Sequence, residues 1–236
     1  MFKQSETFKN QKPFKFGFIE EFLDRDFYEK LYDTYPKVDH TWLYDNGINK
    51  DQYSKSWYNH NLELEKNNKD EPSLSPEWNE FMKYVISDEF VSNFAKFSGV
   101  DVTKCREFGF TYYKRGGFQL PHIHNFGPHW IVMMIYFSKG WERGDPGGTF
   151  MSLEEDESTI IFEPYNLDNS VALFLDGPHS AHGARYITKN VERRACAISL
   201  DRYANNKWSG KIKNDDLYKQ LLRDDKLMLP NNQHLL

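Results

Sequence analysis

The chain has 236 residues and a formal net charge of -5, from 30 Lys and Arg against 35 Asp and Glu. That acidic balance, with no dense basic block, argues against nucleic acid or an anionic membrane as a partner, and the length is expected to form one domain with elaborations. Aromatic residues make up 17% of the chain against a mean hydropathy of -0.76, so a folded core must be built largely from rings. The two cysteines, Cys105 and Cys196, are too few for a disulfide scaffold. With no segment resembling a signal peptide or a membrane span, the expectation is a soluble, cytoplasmic protein.

In chain order, the alternation Phe14-Lys15-Phe16-Gly17-Phe18 predicts a short strand. Apolar residues at helical spacing from Glu20 to Tyr35 predict an amphipathic helix ended by Pro36. Residues 39 to 72 place Trp42, Tyr44, Tyr53, Trp57 and Tyr58 among Asn, Asp and Lys without a sustained period. That stretch reads as a long loop ending in a charged linker from Glu65 to Pro76, with Trp42 to Tyr58 as a candidate lid. Ser75-Pro76 is a helix start, so Glu77 to Ile86 is expected to be helical. Ser87, Asp88 and Glu89 open another helix that stops at Gly99.

Beyond residue 100 the period changes. Glu107 to Tyr113, Ile131 to Ser138, Thr149 to Leu153, Thr159 to Phe162, Ala172 to Leu175, Arg185 to Thr188 and Arg194 to Leu200 are short β-branched or aromatic runs between Gly, Pro, Asn and Asp. Such spacing predicts an antiparallel sandwich or small barrel. The segment from Tyr203 to Leu236 is polar, with one helix expected from Asp215 to Arg223 capped by Asn214.

Four of the eight histidines fall in two tight clusters, Pro121-His122-Ile123-His124-Asn125 and Pro178-His179-Ser180-Ala181-His182-Gly183. A His-x-His pair at a strand end turns two imidazoles to one face, because side chains alternate with period two. Neutral imidazole suits Fe, Zn, Cu or Ni. His124 facing solvent, with only two protein ligands left, is the bland alternative. His129, beside Trp130, reads as a loop or pocket-wall residue.

The ordered set His122-Ile123-His124, Ile135-Tyr136-Phe137-Ser138, Trp141, Gly147-Gly148-Thr149-Phe150, Phe162-Glu163-Pro164, Ala172-Leu173-Phe174, His182-Gly183-Ala184 and Arg193-Arg194-Ala195 resembles the iron(II)- and 2-oxoglutarate-dependent oxygenases, in particular their prolyl-hydroxylase-like branch. The resemblance covers residues 107 to 201. It implies a mainly β fold with flanking α: a double-stranded β-helix, or jelly roll, over residues 101 to 203, supported by helices in residues 1 to 100 and followed by a polar tail from 204 to 236. It also implies Fe(II), 2-oxoglutarate and O2 as reaction partners, with a small molecule or a protein side chain such as proline as second substrate.

By the same resemblance His122, His124 and His182 hold the metal, with His182 preferred over His179 because a small pair, Gly-Ala, follows it. The departure is at His124, where the family has a carboxylate. A neutral ligand there leaves one more positive charge on the metal. Either Arg193 or Arg194 binds the co-substrate's distal carboxylate, since alternation turns only one of them inward. Ala195, Ala197 and Ser199 share the face of Arg193 and leave room for a ligand, which favours Arg193. Tyr136 and Tyr113 are further candidates for that pocket, with plain core packing as the alternative for each. Two competing functions stand beside this one: a three-histidine cupin-type dioxygenase that needs no 2-oxoglutarate, and a non-catalytic barrel that binds metal, sugar or peptide.

Overall fold

The structure is a computed structural model that describes residues 4–56, 69–124 and 126–202. Asn125, Trp57, Tyr58 and the expected helix from Asp215 to Arg223 lie outside the described residues. The elements in order are α1 (Ser5–Asn10), β1 (Phe16–Glu20), α2 (Arg25–Asp33), β2 (Leu43–Gly47), β3 (Lys50–Ser56), α3 (Pro76–Val85), α4 (Asp88–Ser98), β4 (Lys104–Tyr113), β5 (Phe118–His122), β6 (Ile131–Phe137), β7 (Thr149–Ser152), β8 (Ile160–Phe162), β9 (Asp168–Leu175), β10 (Ala181–Ala184) and β11 (Arg193–Asp201).

Helix boundaries follow local chemistry. The side chains of Asp24, Ser75 and Ser87 accept from the backbone N–H of Phe27, Trp78 and Phe90, satisfying donors that the first turn leaves unpaired. Helix α4 ends at Gly99, whose φ of 64° is the left-handed conformation that glycine adopts without penalty.

The strands from β4 onward form a long hairpin folded upon itself. β7 pairs with β8, β6 with β9, β5 with β10 and β4 with β11, all antiparallel and nested about the β7–β8 connection. β6 also pairs with β11, and β7 with β10. Successive nested pairs therefore go to different layers: β9-β6-β11-β4 in one, β5-β10-β7-β8 in the other, with β3 bridging β4 and β5. This is a double-stranded β-helix, a mostly β jelly roll with four short helices among the described residues.

Alternation sorts the larger layer into two faces. Phe108 and Phe110 of β4, Ile131, Met133, Ile135 and Phe137 of β6, and Cys196, Ile198 and Leu200 of β11 join the helices in the main core. Trp78 of α3 sits at its centre, fully buried, with rings of Phe110 and Phe137 at 4.8 and 5.0 Å and its indole N–H donated to Leu31 O at 3.1 Å. The opposite face carries Glu107, Thr111 and Tyr113, Val132 and Met134, and Arg193, Ala197 and Ser199, all of which line one cavity inside the barrel. Both cysteines are buried and neither forms a disulfide. Among the described residues no helix is long and apolar enough to cross a membrane.

Two expectations are corrected. Residues 43–56 are not loop or lid but the hairpin β2–β3, whose second strand pairs with β4 and β5. Its side chains are half-buried or exposed along both strands, so no apolar alternation marks it. Trp42 is not a lid residue either: it is buried against Phe110 and donates its indole N–H to Lys37 O. The strand expected at Arg185–Thr188 is displaced to Ala181–Ala184. Small side chains let that segment fit between β5 and β7, whereas a Cβ at Gly183 would stand 2.6 Å from Gln119 O and 2.7 Å from a Phe150 ring carbon.

Trp78→Ala is expected to lower the unfolding free energy by about 3–5 kcal/mol in urea titrations, the cost of a large cavity in a packed core. Ile48→Ser, at an 89% exposed position, should stay within about 0.5 kcal/mol of the parent.

Candidate metal centre

β5 and β10 set the first two histidines side by side. His122 and His182 are directly opposite in the antiparallel register, so both rings project to the same face. His124 returns to that face two residues after His122, just beyond the strand end. Ring centroids are 4.3 Å apart for His122 and His182, 4.7 Å for His122 and His124, and 4.8 Å for His124 and His182. One nitrogen from each ring falls in a cluster whose members all lie within 4.8 Å of one another.

Backbone carbonyls fix which nitrogen faces the cluster. His122 Nδ1 lies 2.9 Å from Leu120 O, and His182 Nδ1 lies 2.9 Å from Ser180 O. A carbonyl oxygen only accepts, so each Nδ1 carries the hydrogen and each Nε2 presents its lone pair. His124 Nε2 is 3.0 Å from His122 Nε2. Desolvation, with mutual repulsion in the cluster, holds the His124 pKa down to about 3 and that of His182 well below the usual range, while desolvation lowers that of His122. The imidazoles are thus neutral at pH 7, and the Nε2 lone pairs of His122 and His182 face the cluster, where a shared cation can accept them. The donor set fits a divalent ion such as Fe, Zn, Cu or Ni. His179 is exposed and outside the cluster, and His129 does not line the cavity.

The histidines open onto a cavity of about 160 Å³ that reaches Arg193. Arg193 is 1% exposed, and its guanidinium donates to Gly147 O, Thr111 Oγ1 and Thr149 Oγ1 at 3.2, 2.9 and 2.9 Å. It lies over the rings of Tyr113 and Tyr136 at 4.6 and 5.2 Å. All of these partners are neutral, and among the described residues no carboxylate pairs with it. A desolvated cation held by neutral groups, with more N–H donors than these bonds use, is a receptor for an anion. Arg194 points the other way, bonded to Glu192 at 2.9 Å and stacked over Tyr32 and Tyr35.

Gly147 makes that receptor possible. Its φ of 121° suits glycine alone, and a Cβ would stand 2.6 Å from Ile187, so its carbonyl can reach the guanidinium only without a side chain. Tyr136 is fully buried; its hydroxyl accepts from Thr149 N–H at 2.9 Å, fixing the strand that carries Thr149. Tyr113 lines the cavity and donates to Gln52 Oε1 at 2.5 Å, next to Gln119, whose amide nitrogen is 3.3 Å from His122 Nε2. Along β7 and β10, Thr149 faces Ala184 while His182 is two residues away, so the arginine end lies about 7 Å along the strand from the histidines.

Thr111, Thr149, Gln52, Gln119 and Glu107 were not singled out by the sequence. Gln52 sits on the hairpin taken for a loop. Glu107, Thr111 and Tyr113 are the polar phase of an alternation with Phe108, Phe110 and Tyr112, and that phase was a readable signal.

No protein-family model matches the chain, and no curated protein sequence matches it. Among solved structures it is similar to a prolyl-4-hydroxylase from Pseudomonas putida, with 14% identity over 84% of this chain and 98% of that one and a TM-score of 0.56. It is also similar to a Trichoplax adhaerens prolyl hydroxylase in complex with a hypoxia inducible factor peptide fragment, with 13% identity, 84% and 89% coverage and a TM-score of 0.56. HygX from Streptomyces hygroscopicus, solved with nickel and 2-oxoglutarate bound, gives 11% identity, 88% and 89% coverage and a TM-score of 0.60. At these identities the likeness establishes the jelly-roll fold.

Titration with Co(II), followed by its visible absorption, should reach saturation at one equivalent. His182→Ala should weaken binding by more than the roughly 10–100-fold that follows loss of a supporting hydrogen bond, and His179→Ala should leave it unchanged.

Proposed function

We propose that the chain is an iron(II)- and 2-oxoglutarate-dependent dioxygenase that consumes O2, splits 2-oxoglutarate to succinate and CO2, and hydroxylates a second substrate. The observation that carries this reading is a buried arginine, bonded to no carboxylate among the described residues, in the same cavity as three converging, neutral imidazoles. His122, His124 and His182 would hold the iron, which supplies the O2 chemistry when bound. Arg193 receives the distal carboxylate of 2-oxoglutarate, with the hydroxyls of Thr111 and Thr149 orienting the guanidinium. Tyr113 closes the side of that pocket, and Tyr136 supports it from below through Thr149.

The substitution of histidine for a carboxylate at position 124 fits this arrangement electrostatically. The ligand set contributes no negative charge, so a dianionic co-substrate offsets more of the cation's charge than it would beside a carboxylate ligand. Apolar walls from Val132, Met134, Phe174 and Trp130 exclude water around the reacting carbon. The second substrate is a small molecule or a protein side chain, a prolyl ring among them. The solved structures of similar fold, which include prolyl hydroxylases, support the general reaction.

The neutral ligand set also favours a second reading, a three-histidine dioxygenase in which Arg193 binds the carboxylate of the substrate itself. The two separate on one measurement, because only the first requires 2-oxoglutarate for oxygen uptake.

Anaerobic addition of Fe(II) and 2-oxoglutarate should produce a visible charge-transfer band, and admission of air should release succinate. The absence of both would overturn the oxygenase reading. Arg193→Met should weaken 2-oxoglutarate binding by about tenfold or more, the share of a charge-assisted pair; Arg194→Met, on the outer face, should leave it unchanged.

A further inference from the structure

The proposed reaction leaves two side-chain amides of the cavity wall without a role, those of Gln52 and Gln119. The sheet puts both beside the histidines. β10 sets His182 opposite His122 and Ala184 opposite Gln119, so three steps on β5 span two on β10, and this irregularity lets both Gln119 and His122 line the cavity. On β3, Tyr53 lies opposite Tyr112 of β4, and one further step along that register brings Gln52 to Tyr113.

Hydrogen-bond polarity fixes how the Gln119 amide is turned. His122 Nδ1 carries the hydrogen that meets Leu120 O, so His122 Nε2 only accepts, and the group 3.3 Å from it is the amide nitrogen of Gln119. The Gln119 oxygen then faces the Tyr113 hydroxyl at 3.3 Å, which shares its hydrogen with Gln52 Oε1 at 2.5 Å. Tyr113 also lies under the Arg193 guanidinium, 4.6 Å from its ring centre. One side chain therefore positions the amide at the histidine end of the cavity and the cation at the other.

An imidazole Nε2 has one lone pair. When a cation takes that of His122, the Gln119 N–H loses this acceptor and is left next to a ligating atom, with Phe126, Trp130 and Phe174 among the cavity walls. A donor so placed is satisfied by an acceptor that enters with the metal. The three imidazoles contribute no negative charge, so the partner that the cation draws to itself is an anion.

We propose that Gln119, held by Tyr113, donates a hydrogen bond to the anion that shares the metal with the three histidines. In the proposed reaction that anion is the metal-side carboxylate of 2-oxoglutarate, and Gln119 and Arg193 receive the two ends of one dianion across a span set by Tyr113. The identity of the anion rests on the oxygenase reading; the hydrogen bond rests on the metal centre alone.

The experiment titrates azide into the full chain saturated with Co(II), following the visible cobalt spectrum, and measures Co(II) affinity separately by calorimetry. Azide is too short to bind the metal and reach Arg193, about 7 Å away along the strand. Gln119→Met keeps the length and removes the donor. It should weaken azide binding about tenfold, the share of a hydrogen bond to a charged group, while Co(II) binding stays equal or tightens because the His122 lone pair is no longer shared. A residue that only packed against His122 would instead weaken Co(II) binding when replaced. Unchanged azide affinity in Gln119→Met, or azide and Co(II) affinities that fall together, would overturn the proposal. If Gln119→Met fails to fold, Gln119→Glu, of the same shape but without an N–H, is judged by the same two criteria. Loss of azide affinity in Gln119→Met, in a chain that gives no charge-transfer band with Fe(II) and 2-oxoglutarate, would leave the hydrogen bond standing and sink the oxygenase reading.

Discussion

The larger layer of the barrel is buried on both faces, and most of the molecule answers to that constraint. One face must be apolar enough to seat α2, α3 and α4; the other must be open enough to leave a cavity and polar enough to work in it. Strict alternation on β4, β6 and β11 meets both demands at once. The same backbone that packs Phe108, Phe110, Ile135 and Ile198 against Trp78 and its neighbours turns Glu107, Thr111, Arg193 and Ser199 inward. A one-residue slip on β11 would exchange Arg193 for Arg194, placing a guanidinium already matched to Glu192 inside and an unpaired one outside. The helices are therefore the template that holds the register of the site.

Charge placement inside the barrel is economical. The histidines bring no formal charge, Arg193 brings one held only by neutral dipoles and ring faces, and Glu107 sits at the opposite end. His122, His182 and Arg193 are positioned by backbone or hydroxyl partners, with no opposing charge bonded to them among the described residues. Nδ1 of His122 and His182 is tied to a carbonyl, and Arg193 to two threonines and a glycine carbonyl. Such neutral positioning fixes geometry without neutralising the charge that a ligand is to meet.

Much of this could be read from the chain. The helix starts at Ser75 and Ser87 and the stop at Gly99 are local signals, decided by hydrogen bonds within one turn. The strands β4, β6, β9 and β11 carry long apolar phases. The jelly roll followed from the order of motifs, since the pairings of β4 with β11 and β5 with β10 are made between segments far apart in sequence. What escaped was decided by space rather than propensity. Leu43 to Ser56 forms a hairpin although its side chains are largely polar, because β4 and β5 offer it unpaired backbone edges. Ala181 to Ala184 forms a strand although Tyr186-Ile187-Thr188 has the better β propensity, because only the small residues fit beside Phe150 and Gln119. The polar side chains around Arg193 were within reach, since they occupy the phase of each strand opposite to the aromatic one.

The nesting of the strand pairs also sets how the molecule comes together. β7 and β8 are joined by a short connection, while β6–β9, β5–β10 and β4–β11 each close a longer loop around the pair before. Loop-closure entropy rises with length, so the expected assembly runs from the β7–β8 tip outward, each pair shortening the effective loop of the next. His122 and His182 belong to the third pair, and Arg193 and Glu107 to the fourth. On that order the metal-binding constellation and both charged ends of the cavity are completed only as the outermost strands close, and the site is a late product of folding rather than its nucleus.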